Sequence, residues 1–202
     1  MNNIHDNVIL TDCDGVLVDW LKGFTIWMIK HGHPPVDGVV SYDLTDIFGI
    51  TKDEKNKYVR MFNESAYVGS LNPLRDAMYY IDLLHRKHGY VFHMITAMSD
   101  DPMAAKLRIQ NIEGLFGKTA FERFTILDRG ADKTEALREY KDSGCWWIED
   151  KISNAEIPYE NNFDIHSILM LHNHSMETTT KQNTAFTLAN NWRDVYQLVT
   201  GE

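Results

Sequence analysis

Two carboxylates one residue apart, Asp12 and Asp14, follow the apolar run Val8-Ile9-Leu10-Thr11 and precede Gly15. Acids this close repel each other, so they are costly unless a cation sits between them or one of them holds a proton. Both conditions suit phosphoryl transfer: one carboxylate attacks phosphorus, its neighbour shuttles a proton, and Mg²⁺ neutralises the charge that gathers there. Taken alone, the same residues also make an ordinary Asp-Gly turn after a strand. Three later positions add what the acids lack. Thr96 offers a hydroxyl and the stretch after it, beginning with Ala97, offers backbone N–H donors for phosphate oxygens; helix capping is the plain alternative. Lys133 opens a helix, where the helix dipole gives a cation no benefit, so a ligand phosphate and the Asp12 carboxylate would explain it better than the dipole does. A solvated surface lysine is the competing reading. Glu149-Asp150 directly follow Trp146-Trp147-Ile148. One carboxylate of this pair, with Asp12 and the backbone carbonyl of Asp14, would give Mg²⁺ the oxygen ligands it prefers; a strand-end acid turned to water is the plain alternative.

The elements that must position these residues alternate along the chain. The run before Asp12 reads as a buried strand, and further strands are expected over 90–95, 123–127, 145–148 and 165–171. Helical periodicity predicts helices over 20–30, from Thr51 with its Glu54 capping box through Phe62, from Pro73 over 74–86, over 102–116, from Asp132-Lys133-Thr134 through Tyr140, and over 191–199. A loop is expected to carry Tyr42 to Gly49. Strand, helix, strand in this order implies right-handed crossovers: an α/β fold, a doubly wound parallel sheet of Rossmann type. Residues 1–19 and 72–202 would form the core and 20–71 a small helical cap inserted after the first strand. At the carboxyl ends of such strands Asp12 and Asp14 reach one site if the backbone turns after Asp12, which Gly15 permits.

With 202 residues and a net charge of −9, the chain is long enough for a substantial core and disfavours a long nucleic-acid duplex, whose binding needs clustered Lys and Arg. A small phosphate ester stays open, because a divalent ion and one or two cations reverse the field locally. Cys13 and Cys145 show no metal-type spacing and read as buried thiols. The first six residues lack the regions of a signal peptide and no apolar run reaches membrane-spanning length, so a cytoplasmic protein without membrane contact is expected. His31-Gly32-His33 and His172-Asn173-His174 read as loop residues, and no zinc site is expected. Lys106 and Arg108 read as a solvated helix face.

The run Asp12-Cys13-Asp14-Gly15-Val16-Leu17-Val18-Asp19 resembles the first motif of the haloacid dehalogenase superfamily, Asp-x-Asp-Gly-x-x-x-Asp. Thr96 stands where the second motif has a Thr or Ser, Asp132-Lys133-Thr134 takes the place of the third, and Glu149-Asp150 that of the fourth, with Asp150 at the metal-binding position. A narrower resemblance is to the 5'(3')-deoxyribonucleotidases, which share the Asp-x-Asp-Gly-Val-Leu-x-Asp-aromatic start, a small helical lid, a Leu-x-Pro-like stretch (here Leu71-Asn72-Pro73-Leu74) and an Asp-Lys-Thr third motif. The chain departs from that pattern at Thr96-Ala97, where Thr-Ser would bring a second hydroxyl, and at Asn154, where many relatives have another acid.

The resemblance implies a Mg²⁺-dependent phosphomonoester hydrolase working through an aspartyl-phosphate. Asp12 would be the nucleophile and Asp14 the acid and base, Thr96, Ala97 and Lys133 would hold the phosphoryl group, and Asp12, Asp14 and Asp150 the metal. Trp20 stands where the family uses an aromatic to stack a nucleobase, and Phe24, Phe48 and Tyr67 are further substrate-binding candidates from the lid. The expected partner is a nucleoside monophosphate or a related small phosphate ester, with homodimer formation left open. Two alternatives keep the same residues: a phosphatase for another small ester such as a sugar phosphate, and a nucleotide- or metal-binding module without turnover.

Overall fold

A computed structural model describes residues 7–39, 41, 43–172 and 184–202. Residues 1–6, Tyr42, and Asn173 and His174 of the second histidine pair lie outside them. Six strands, β1 (Val8–Thr11), β2 (Val91–Ala97), β3 (Phe121–Leu127), β4 (Trp146–Glu149), β5 (His166–Met170) and β6 (Thr187–Ala189), pair in parallel in the order β3-β2-β1-β4-β5-β6. This order puts β1 inside the sheet, which is why all four of its residues are buried and why it reads as an unbroken apolar run. The order also reverses at β1: β2 and β3 lie on one side and β4 to β6 on the other. Parallel sheets bind ligands in the crevice at such a reversal, and here Asp12 and Glu149 end the two strands that flank it.

The helices are α1 (Trp20–Lys30), α2 (Leu44–Phe48), α3 (Lys52–Asn63), α4 (Ala77–His88), α5 (Pro102–Phe116), α6 (Thr134–Arg138), α7 (Ile152–Ala155), α8 (Ile157–Glu160) and α9 (Trp192–Thr200), with a 3₁₀ turn at Ala66–Ser70. Alternate strand residues separate the two faces of the sheet. Ile9, Phe92, Ile148 and Ile168 pack with apolar residues of α1, α4, α5 and α9, whereas Leu10, Ile95 and Trp147 pack with Leu137 of α6 and Ile157 of α8. Between β1 and β2 the chain builds α1 to α3 around Phe24, Trp27, Phe48 and Phe62, then returns beside the point where it left. Val18 bridges to Pro73, Asp19 N–H donates to the Asn72 carbonyl at 3.0 Å, and Leu74 N–H donates to the Leu17 carbonyl at 2.8 Å.

The departures from the sequence reading have local causes. Pro73 does not start a helix, because the Pro73-Leu74 backbone is used against Val18 and Leu17, and α4 begins at Ala77. The stretch 42–49 holds α2, capped by the Asp43 side chain and closed by Gly49 in the left-handed region. The helix after Lys133 ends at Arg138 instead of Tyr140, β2 extends to Ala97 so that Thr96 lies within it, and β6 adds a short edge strand. The capping box of Thr51 and Glu54 is formed as its spacing predicts.

Candidate active site

Lys133 precedes the first turn of α6, and its side chain is enclosed at the end of β1. Its Nζ lies 2.9 Å from Asp12 Oδ2 and 2.7 Å from Glu149 Oε2, over the Trp147 ring at 5.1 Å. Burial works against its charge, but Asp12 and Glu149 outweigh burial and hold the ammonium above its usual range. Glu149 is fully saturated: Oε2 accepts from Lys133 and from Asn154 Nδ2 at 3.2 Å, and Oε1 from the N–H groups of Asp150 and Lys151 at 3.1 and 3.0 Å. Burial opposes its charge, yet Lys133 and these donors keep Glu149 below its usual range and ionised.

Asp12 shares Lys133 with Glu149, and Asp150 Oδ2 lies 3.6 Å from His172 Nε2, so both are less fully compensated than Glu149. Oxygens of Asp12, Glu149 and Asp150 lie within 4.8 Å of one another, so three carboxylates face one ammonium. Burial first, and then Glu149, push Asp12 up to about 7, with Lys133 opposing them. Asp150 is raised for the same reasons, burial, Glu149 and Asp12. Two negative charges in excess in a buried place fit a divalent cation held by oxygen ligands. Glu149 already spends its lone pairs on four donors, which leaves Asp12 and Asp150 as the side chains to offer.

The turn after β1 is set by Gly15, whose φ is +77°; a Cβ there would lie 2.1 Å from Asp150 Oδ2. The Gly15 carbonyl lies 2.9 Å from His172 Nε2, and Arg75 Nη2 donates to His172 Nδ1 at 3.2 Å. A carbonyl only accepts and a guanidinium only donates, so in these two contacts Nε2 carries a proton and Nδ1 accepts, with Asp150 Oδ2 3.6 Å from the same Nε2. Arg75 itself stands at φ +42° and also donates to the Leu171 and Asn190 carbonyls, tying the end of β5 to the turn. Asp12 Oδ1 accepts from the Cys13 N–H at 2.7 Å. The Cys13 thiol is pushed up to about 12 by burial, with Arg108 opposing, which makes it an inert neighbour of the acids and no nucleophile.

A cleft of about 970 Å³ opens over these residues, lined by Asp12, Asp14, Thr96, Ala97, Lys133 and Asp150 from the sheet side. Thus the structure brings every core candidate named from the sequence to one cavity. Trp20 lines it as well, fixed by its Nε1 donating to Asn63 Oδ1 at 2.9 Å. Phe24, Phe48 and Tyr67 do not line it. Phe24 is one turn along α1 from Trp20, stacked on it at 4.8 Å and edge-on to Phe48 at 5.6 Å, and both are spent on the packing between α1, α2 and α3. The Tyr67 hydroxyl accepts from Lys30 Nζ at 2.5 Å.

Sequence reasoning missed or misplaced several residues. Arg108 is not on a solvated face: it is fully buried, and its Nη1 pairs with Asp14 Oδ1 and donates to Cys13 Sγ at 3.1 Å. Its position four residues from both Ala104 and Ile112, which are buried, was the available signal. Lys55 and Asn56 of α3 and Arg129 before α6 also line the cleft, with Arg129 Nη1 donating to Asn56 Oδ1 at 3.2 Å across it. Their only mark in the sequence is polarity. His31 and His33 are engaged separately, with the Trp27 carbonyl at 2.7 Å and the Tyr58 hydroxyl at 2.9 Å.

No family model matches the chain. A curated relative, the uncharacterized 32.4 kDa protein of the Gp30-rIII intergenic region of Enterobacteria phage T4, is 28% identical over 149 residues, which are 66% of this chain and 49% of that protein. The chain therefore spans about half the length of the curated relative it matches. Among solved structures, a haloacid dehalogenase-like hydrolase from Streptococcus pneumoniae superposes with a TM-score of 0.63 at 14% identity, covering 96% of this chain and 98% of that one. The L-2-haloacid dehalogenase of Xanthobacter autotrophicus, with chloropropionic acid covalently bound, gives 0.58 at 11% identity over 96% and 98%. The D,D-heptose 1,7-bisphosphate phosphatase of B. bronchiseptica, complexed with magnesium and phosphate, gives 0.57 at 11% identity over 97% and 99%. The chain has the haloacid dehalogenase-like fold, and the four strand ends that carry the resemblance meet in one cleft of it.

Proposed function

We propose that the chain is a phosphomonoester hydrolase that works through an aspartyl-phosphate on Asp12, with (deoxy)nucleoside monophosphates as its first substrate class and Mg²⁺ as its cofactor. The observation that carries this reading is the excess of buried negative charge at Asp12, Glu149 and Asp150 beside a fixed Lys133. A cation held among these acids would offset the charge of a phosphate ester dianion, which is what phosphoryl transfer needs. Asp12 attacks phosphorus while Lys133, locked by Glu149, steadies the attacking carboxylate and the phosphoryl oxygens. Thr96 and the backbone near Ala97 hold the remaining oxygens at the start of the cleft. Asp14 gives its proton to the departing sugar oxygen and then accepts one from the water that hydrolyses the intermediate. Asp12, Asp150 and the Asp14 carbonyl would hold Mg²⁺, which would neutralise the phosphoryl charge. The segment 20–71 acts as the lid, Trp20 stacks the base, and bulk water is kept from the intermediate.

A second reading, a sugar phosphate as substrate, is favoured by the polar wall that Lys55, Asn56 and Arg129 give the cleft. The test is phosphate release from a panel of deoxy- and ribonucleoside 5'- and 3'-monophosphates and sugar phosphates, with and without a chelator. Chelator-sensitive release from the parent is expected, with Asp12→Asn slower on the order of 10⁴-fold. A parent and an Asp12→Asn variant equally inert on every ester with Mg²⁺ present would rule the reaction out, and preference for the sugar phosphates would select the second reading.

A further inference from the structure

Helix α5 covers one face of the sheet, and Ala104 and Ile112, one turn to either side of Arg108, are buried in that face. An arginine in such a row is hard to account for by packing. Removing a guanidinium from water is costly, and an unbranched apolar side chain such as methionine would fill much of the space without that cost. The placement leaves Nε and Nη2 of Arg108 with no partner among the described residues, while Nη1 is given to Asp14 Oδ1 and Cys13 Sγ. Asp14 is the carboxylate partner that Arg108 has among the described residues. It is also a cleft residue: 24% of its side chain is exposed, and it lines the cavity beside Asp12. So a cation buried at a loss in the core reaches out to one acid at the rim of the cleft, and its other contact among the described residues is the Cys13 thiol.

We propose that Arg108 is a positioning residue: it pins one oxygen of Asp14 from the core side so that the carboxyl meets the departing oxygen of the ester in a single orientation. This rests on the reading of Asp14 as the proton donor. In the step concerned, the bond from Asp12 to phosphorus forms, the bond from phosphorus to the leaving oxygen breaks, and the Asp14 proton passes to that oxygen. Asp14 is left as a carboxylate against the guanidinium that already faces it. In the second step water adds to phosphorus, the bond to Asp12 breaks, and the proton of the water returns to Asp14. Arg108 touches neither substrate nor phosphorus; it acts through Asp14.

The experiment compares kcat/KM, which reports the steps up to loss of the leaving group, on two esters. One is an alkyl ester, a nucleoside 5'-monophosphate, whose leaving oxygen needs a proton; the other is p-nitrophenyl phosphate, whose leaving group departs without one. The proteins are the parent, Arg108→Met, Arg108→Lys, Asp14→Asn and the Arg108→Met/Asp14→Asn double variant, each checked by circular dichroism. Arg108→Met is expected to lose about 100-fold on the alkyl ester and less than about tenfold on the aryl ester, the scale of one misplaced general acid. Arg108→Lys should recover part of the loss, and adding Arg108→Met to Asp14→Asn should cost no more than about twofold further. Equal losses on both esters, or losses that multiply in the double variant, would overturn the proposal. Failure of both Arg108 variants to fold while Asp14→Asn folds would overturn it too, because the guanidinium would then serve the core. A parent that releases phosphate from neither ester removes the phosphatase reading itself, and this inference with it.

Discussion

A buried lysine is held only while a carboxylate beside it stays ionised, and Glu149 is that partner for Lys133 across the range in which Asp12 takes a proton. Removing Lys133 strands two buried acids. Lys133→Met should therefore destabilise the protein by about 3–5 kcal/mol, the cost of breaking a buried pair from one side, as read from urea unfolding. The same acids give the protein a pH dependence of definite sign. The folded chain holds the Asp12 proton up to about pH 7, while the unfolded chain releases it near the ordinary 3.8. The folded state thus binds more protons across that window, and stability falls as pH rises through it. In the presence of a chelator, Tm should be lower at pH 7.5 than at pH 5.5. Glu149, shifted the other way, loses its contribution only at more acid pH. Mg²⁺ should raise Tm more at pH 7.5 than at 5.5, because at the higher pH the cation meets carboxylates and has no protons to displace.

At the scale of the element, what the sequence made legible is the end of each strand. A buried β strand must be apolar, so the acids that follow β1 and β4 stand out, as at Asp12 and Asp150, while Lys133 is marked by opening a helix where the dipole gives a cation no benefit. Arg108 and Glu149 were harder because their charge is answered inside the fold, Arg108 by a turn 94 residues away and Glu149 by a lysine on the preceding crossover. The edge strand β6 was invisible for a different reason: three residues, two of them exposed, carry too little pattern to stand above a loop. The start of α4 was misread because Pro73 suits a first turn but suits extended pairing equally well, and its partner Val18 is far off in sequence. By contrast the α3 start is written entirely in local residues. Thr51→Ala removes a formed capping box and should cost about 1 kcal/mol, seen as faster amide exchange in the first turn of α3, with the sheet amides unchanged.

At the scale of the molecule, the sheet and the segment 20–71 divide the labour. The sheet ends carry the groups proposed to react, and the segment contributes Trp20, Lys55 and Asn56 to the cleft. Substrate preference should accordingly follow the segment: exchanging 20–71 for the corresponding stretch of a sugar-phosphate phosphatase of this fold should move the order of kcat/KM across an ester panel, with Mg²⁺ dependence retained. The bridges at Val18, to Asp14 on one side and Pro73 on the other, say why such an exchange is feasible. Paired antiparallel backbones stand about 5 Å apart, so the two cut points are neighbours before anything is joined to them. A graft of any length whose ends meet is seated without stretching the scaffold, and the socket that receives it is four residues from the acid that would protonate whatever the new roof admits.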